Sequence, residues 1–476
     1  MTNPRALLSL LLALASLAAC SYPIRNEALP PGRNHAKYAW ERLPAGDDTL
    51  VIVTASGGGT RASALAMSVL QAMAQVRLAS GRSLADKIDI VSSVSGGSVT
   101  AAYFALHGAA GLKTFEDDFV RRDGMTPLIA GILNPFSLAA LAMPAKERID
   151  LLIDYFDRQL FKEVTFDQLI EQNRRPYLIL NSADMVEGTP FPFTQYTMDL
   201  LCSDLTTMKV STAVAASAAF PVALSPVTLK NYCTHAKPAK PGWLADALAT
   251  DWYINPSRVA WARTASAYAK GDKQFIHLLD GGIADNLGIS EPFRMLTAGD
   301  GAPYIAQDIT SGKIKKIVFV MVNARSFKPS GLDKSAATPG ILDMALGSID
   351  SAIDRTTFNT AERLRSLLLG QFEEWANQVK DPATKANFRT VARNTKLITV
   401  DFDAIRNPDC RRNFHSIATS WSLSKEEINA VKAVGGALLV QDRNFAPTMA
   451  MIGGQVEGPP IASMDDACRL VPNAGD

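Results

Sequence analysis

Three short stretches hold residue types that could do chemistry, and each follows an apolar run. Ser93-Val94-Ser95-Gly96-Gly97 comes after Ile88-Asp89-Ile90-Val91. A serine on a sharp strand-to-helix turn has its Oγ exposed, and only small neighbours fit so tight a bend. The stretch resembles the G-x-S-x-G nucleophile elbow, with Ser93 in place of the first glycine. Ser95 is the candidate nucleophile and Gly97 a supporting residue of the motif.

Ser56-Gly57-Gly58-Gly59-Thr60-Arg61 follows the run Leu50 to Ala55. Consecutive glycines let the backbone approach a ligand and turn N–H groups into one space, and a helix start behind them adds partial positive charge. That suits an anion, either a phosphate or the oxyanion of a tetrahedral intermediate. Ala62 breaks a G-x-G-x-x-G reading, and G-x-x-x-x-G-K-[ST] is absent, so with Ser95 in view the loop reads as an oxyanion hole built from Gly57, Gly58 and Gly59. Asp280-Gly281-Gly282 closes the run Phe275 to Leu279. A carboxylate at a strand's carboxyl end, with glycines allowing close approach, is where open α/β sheets place chemistry.

A Ser–His–Asp triad needs a histidine beside the serine. The chain has five: His35, His107, His235, His277 and His415. His277 is an odd number of residues from Asp280, which puts the two on opposite faces of a strand. His107 falls several turns into the helix after Ser95, away from the elbow. His415 remains as the rival base. A carboxylate base works best near neutral pH when burial raises its pKa.

The elements that must position these residues are legible as periodicity. Leu50 to Ala55 is a continuous apolar run of the kind found in a buried parallel strand. A helical stretch from about 61 to 79, a second strand at 88–91 and a further helix follow. Later strands are expected at 177–181, 275–279, 317–322 and 397–402, an amphipathic helix at 147–161 and long helices over 335–385. Residues 445–476 are expected to wrap the surface. Strand-turn-helix units in succession predict a parallel sheet covered by helices on both faces.

Taken together, the Gly-rich loop, the S-x-G elbow and the D-G-G turn resemble the patatin-like phospholipase family. The likeness continues in Ala216-Ser217-Ala218-Ala219-Phe220-Pro221, similar to the family's A-S-x-A-x-P, in Leu180-Asn181-Ser182-Ala183-Asp184 with Gly188, and in Asp280-Gly281-Gly282-Ile283-Ala284-Asp285-Asn286, similar to D-G-G-x-x-x-N. It covers roughly residues 50–290. The resemblance implies a three-layer α/β/α fold with a mostly parallel central sheet and helical insertions. It implies a serine acyl-ester hydrolase acting on membrane lipids, with no cofactor and no metal. Ser95 matches the nucleophile, Asp280 the base of a Ser–Asp dyad, Gly57, Gly58 and Gly59 the oxyanion loop, and Arg61 a basic residue at the following helix. Gly281 and Gly282 match the supporting glycines. A lipid acyltransferase with the same dyad and a non-catalytic envelope lipoprotein are the alternatives.

The chain's ends bear on location. Arg5 precedes an uncharged apolar run from Leu7 to Ala19, too short to span a bilayer, which reads as a signal peptide over 1–19. Leu17-Ala18-Ala19-Cys20 resembles a bacterial lipobox, which implies lipidation of Cys20; Ser21 after it resembles an outer-membrane address. The expected organisation is a lipidated tether over 20–48, a catalytic domain over 49–330 and an extension over 331–476 packed on the same domain. Cys202, Cys233, Cys410 and Cys468 allow three disulfide pairings in an oxidising envelope. There is no charged residue between Met125 and Ala145, an insertion expected to be either packed core or an acyl-binding rim. With 47% hydrophobic residues, 20% charged residues and a net charge of +1, the chain can build a sizeable core and has no global field that favours nucleic acid.

Overall fold

The computed structural model describes residues 23–30, 38–126, 147–234, 241–253, 255–297, 299–302, 305–327 and 336–473. The signal peptide, Cys20 and nearly all of the charge-free insertion lie outside them.

Eight strands form the central sheet: β1 (Thr49–Ala55), β2 (Ile90–Val94), β3 (Tyr177–Asp184), β4 (Pro190–Pro192), β5 (Val227–Lys230), β6 (Phe275–Asp280), β7 (Lys316–Asn323) and β8 (Thr395–Asp401). Their order is β8-β7-β1-β2-β3-β6-β5, with β4 paired to β3. From β8 through β3 every pairing is parallel, whereas β6, β5 and β4 are antiparallel to their neighbours. All of β1 is buried because it lies between β7 and β2 with helices on both sides, and its mostly apolar run, with only Thr49 and Thr54 polar, suits such a position. Strands β4 and β5 were not anticipated. The first is three residues bounded by prolines, and the second is a half-buried alternation of Val227-Thr228-Leu229-Lys230.

The helices used below are α1 (Gly59–Ala74), α2 (Gly96–His107), α3 (Arg148–Phe156), α4 (Val210–Ser217), α5 (Gly282–Asp285), α6 (Ile341–Ser366), α7 (Pro382–Arg393), α8 (Pro408–Ser416), α9 (Lys425–Gln441) and α10 (Met464–Leu470). Helix α1 packs between α2 and α9, α4 packs on α3 and β3, and α5 packs on α6. The result is a three-layer α/β/α arrangement around one apolar core. The expected first helix is shorter than its pattern: it stops at Ala74, and Val76–Leu78 forms a small antiparallel pair with Gly454–Val456. The tail is likewise more regular than a surface wrap, with helices at Phe445–Ile452 and α10.

Chain outside the catalytic motifs is tied into this body. Strand β8 supplies the sheet edge. Glu27–Ala28 pairs with Ser203–Asp204, and Tyr38 is buried with its hydroxyl donating to the Leu178 carbonyl at 2.7 Å. The described parts of the expected tether therefore lie against the domain rather than leading away from it. Of the three disulfide pairings, the structure has Cys202–Cys233 and Cys410–Cys468. Among the described residues no helix is long and apolar enough to cross a membrane.

Candidate active site

Sheet register brings the three motifs to one edge. Ala55 pairs with Ser93, Val94 pairs with Asn181, and Ser182 pairs with Asp280. The glycine loop leaves β1 at this level, Ser95 leaves β2, and Asp280 ends β6. The route of Asp280 differs from the one assumed from sequence. In a parallel strand its carboxyl end would reach this edge from below; β6 instead runs antiparallel to β3, enters from beyond the edge and stops at the level of Ser182. The carboxylate still arrives beside the elbow, from the opposite direction.

Ser95 stands on that elbow with φ of 50°, between the last residue of β2 and the first of α2. A non-glycine residue there carries strain, of roughly 1–3 kcal/mol, that the surroundings must offset. They do so through Ser217 at the end of α4. The Ser95 N–H donates to Ser217 Oγ at 2.9 Å, and Ser217 Oγ donates to the Asn181 carbonyl at 2.6 Å. Helix α2 can begin so close to the glycine loop only because its first residues lack side chains: a Cβ on Gly96 would fall 2.0 Å from the Gly59 carbonyl oxygen, and one on Gly97 2.6 Å from those of Ala55 and Ser56.

Asp280 is buried, and burial pushes its carboxyl up to about 6; the Gly282 N–H and the Ser95 side chain pull weakly the other way. Gly282 N–H donates to Asp280 Oδ1 at 2.8 Å, and the Gly281 N–H to the Ser217 carbonyl at 3.1 Å. No histidine competes for this position among the described residues. His277 Nδ1 bonds Thr228 Oγ1 at 3.1 Å on the half-exposed side of β6, and His107 packs against Tyr103 with the two rings tilted. His415, the rival base, is held by Asp403 at 2.9 Å beyond the end of β8.

The glycine loop is fixed at both ends. Gly57 N–H is already committed: it donates to Asn286 Oδ1 at 3.1 Å and to the Asn286 carbonyl at 3.2 Å. Among the described residues no acceptor is bonded to the amides of Gly58 and Gly59, whose φ values are 138° and 58°. Thr60 N–H donates to the Ser420 carbonyl at 2.8 Å. Arg61 is fully buried. Its guanidinium donates to the carbonyls of Ala324 at 2.8 Å and Ile417 at 2.6 Å and to Thr419 Oγ1 at 3.0 Å, and burial lowers its pKa to about 10. Arg61 is thus a bracket joining the loop to the chain after β7 and α8.

Asn286, Ser217 and Thr357 were not singled out from sequence as site residues. The first two sit inside motif segments, so the signal was present. Thr357 on α6 had none; it enters only through the fold, by taking a hydrogen bond from Asn286 Nδ2 at 3.2 Å. Among the described residues no group of carboxylate, histidine or cysteine side chains could hold a metal ion.

The family model described as patatin-like phospholipase matches residues 53–293. The chain belongs to the patatin-like phospholipase family, a family of lipid acyl hydrolases. No curated protein matches it. Among solved structures, human GIVD cytosolic phospholipase A2 aligns with a TM-score of 0.40 and 10% identity, covering 90% of this chain and 61% of that one. The chain thus spans less than two thirds of that neighbour's length.

Proposed function

We propose that this chain hydrolyses acyl esters of membrane lipids through a Ser95–Asp280 dyad. The observation that carries the reading is a serine on a strained elbow beside a buried carboxylate whose pKa is raised to about 6. In the first half-reaction Asp280 takes the Ser95 hydroxyl proton as Oγ attacks the acyl carbonyl carbon. The amides of Gly58 and Gly59 stabilise the oxyanion that forms. Collapse breaks the ester bond, and the departing alcohol takes the proton back from Asp280. In the second half-reaction Asp280 deprotonates a water molecule, which attacks the acyl-serine ester, releases the fatty acid and returns the proton to Ser95. Fatty acid release from phospholipid vesicles is the test: Ser95→Ala and Asp280→Asn should each abolish most of it, and release that survives both sinks the dyad.

The same reading places the enzyme in a bacterial envelope, held at the outer membrane by lipid on Cys20. Its support is the lipobox-like Leu17-Ala18-Ala19-Cys20 followed by Ser21. Cys20→Ala should move exported protein to the soluble fraction; salt-resistant membrane association of the variant contradicts this anchor.

A further inference from the structure

We propose that Thr357 and Asn286 are positioning residues that set the oxyanion loop, so that helix α6, outside the stretch matched by the family model, controls turnover. The inference rests on the proposed dyad and loop. Its basis is a hydrogen-bond chain of a single polarity. Thr357 Oγ1 donates to the Ile353 carbonyl at 2.7 Å, which directs its lone pairs away from its own helix. It can then meet Asn286 only as an acceptor, and Asn286 Nδ2 donates to it at 3.2 Å. With the amide nitrogen held, Asn286 Oδ1 must face the loop, where it takes the Gly57 N–H at 3.1 Å.

An asparagine side chain presents a donor at one end and an acceptor at the other. If it flips, its NH₂ faces the Gly57 N–H, two donors oppose each other, and this end of the loop keeps only the Asn286 backbone carbonyl as acceptor. Thr357 makes the flip costly. The joint has no slack: a Cβ on Gly57 would fall 2.6 Å from Asn286 Oδ1, and one on Gly282 would fall 3.0 Å from the same atom and 3.1 Å from Asp280 Oδ1. Asn286 therefore sits between the loop and the base, and a shift in its amide is transmitted to both. Thr357 and Asn286 are both buried, so water cannot readily replace the lost partner.

The test compares Thr357→Val, which keeps the shape and removes the acceptor, with Thr357→Ser, which keeps the acceptor. Turnover of a soluble ester is measured per active site, counted by fluorophosphonate titration, alongside thermal unfolding. Thr357→Val should lower kcat about tenfold with KM unchanged, less than the roughly 10²–10³ lost with a direct oxyanion donor, and Thr357→Ser should restore most of it. Wild-type kcat in Thr357→Val overturns the proposal, as does an equal loss in Thr357→Ser. Failure of the dyad itself is separable: Ser95→Ala would then keep turnover, whatever Thr357 does.

Discussion

The backbone N–H of Ser95 and the hydroxyl of Ser217 are 2.9 Å apart and hydrogen-bonded, with the Ser217 hydroxyl in turn donating to the Asn181 carbonyl. Ser217 also receives the Gly281 N–H on its carbonyl, so one residue at the end of α4 holds both the elbow and the D-G-G turn. Removing its hydroxyl leaves a buried N–H and a buried C=O without partners, each costing about 1–3 kcal/mol. Ser217→Ala should lower unfolding free energy by ~2–4 kcal/mol and cut kcat more than it raises KM. Urea unfolding and steady-state kinetics measure the two; unchanged kcat would remove Ser217 from the support of the nucleophile.

Asp280 should impose a pH dependence on both activity and stability. As the proposed base it must be ionised, so kcat/KM should fall about tenfold per unit below pH 6 and level off above it. Its folded pKa lies above its ordinary value. The carboxyl's contribution to stability is therefore full below pH about 4 and lost as pH rises through about 6. Asp280→Asn resembles the protonated form and should be more stable than wild type at pH 8, by up to about 3 kcal/mol, with a smaller gap at pH 5. Calorimetry across pH 5–8 reads this. A pH dependence of turnover that disappears in His415→Ala would instead make the histidine the base.

Arg61 should matter for stability before chemistry. Three of its contacts are to the backbone carbonyls of Ala324 and Ile417 and to Thr419 Oγ1, and a lysine cannot reproduce that fork. Arg61→Lys should cost about 2–4 kcal/mol, because buried partners are left unmet. Turnover per titrated active site should fall far less than the yield of folded protein. Full stability with lost turnover would show Arg61 acting on the substrate instead.

The parts of the site that follow from local rules were legible in the sequence. Glycine runs, a small-residue elbow and a D-G-G turn are local demands, so Gly57, Gly58, Gly59, Ser95 and Asp280 stand out one after another. The parallel core of the sheet was equally plain, because a strand buried on both faces, such as β1, is mostly apolar along its length. The direction of β6 was not legible: its own residues are the same whichever way it runs, and only its neighbours decide. The long-range supports were hidden for a related reason. Thr357 and Thr419 reach Asn286 and Arg61 through hydroxyls from far along the chain, and Ile417 and Ser420 reach Arg61 and Thr60 through backbone carbonyls that every residue type possesses.

The most direct measurement is the site and rate of reaction with a fluorophosphonate, followed by peptide mass mapping. Such a reagent needs an activated serine and an oxyanion hole but no lipid surface. The account predicts a single adduct on Ser95, no adduct in Ser95→Ala, and a much slower reaction in Asp280→Asn with the protein still folded. An adduct on another serine, or an undiminished rate in Asp280→Asn, would contradict it.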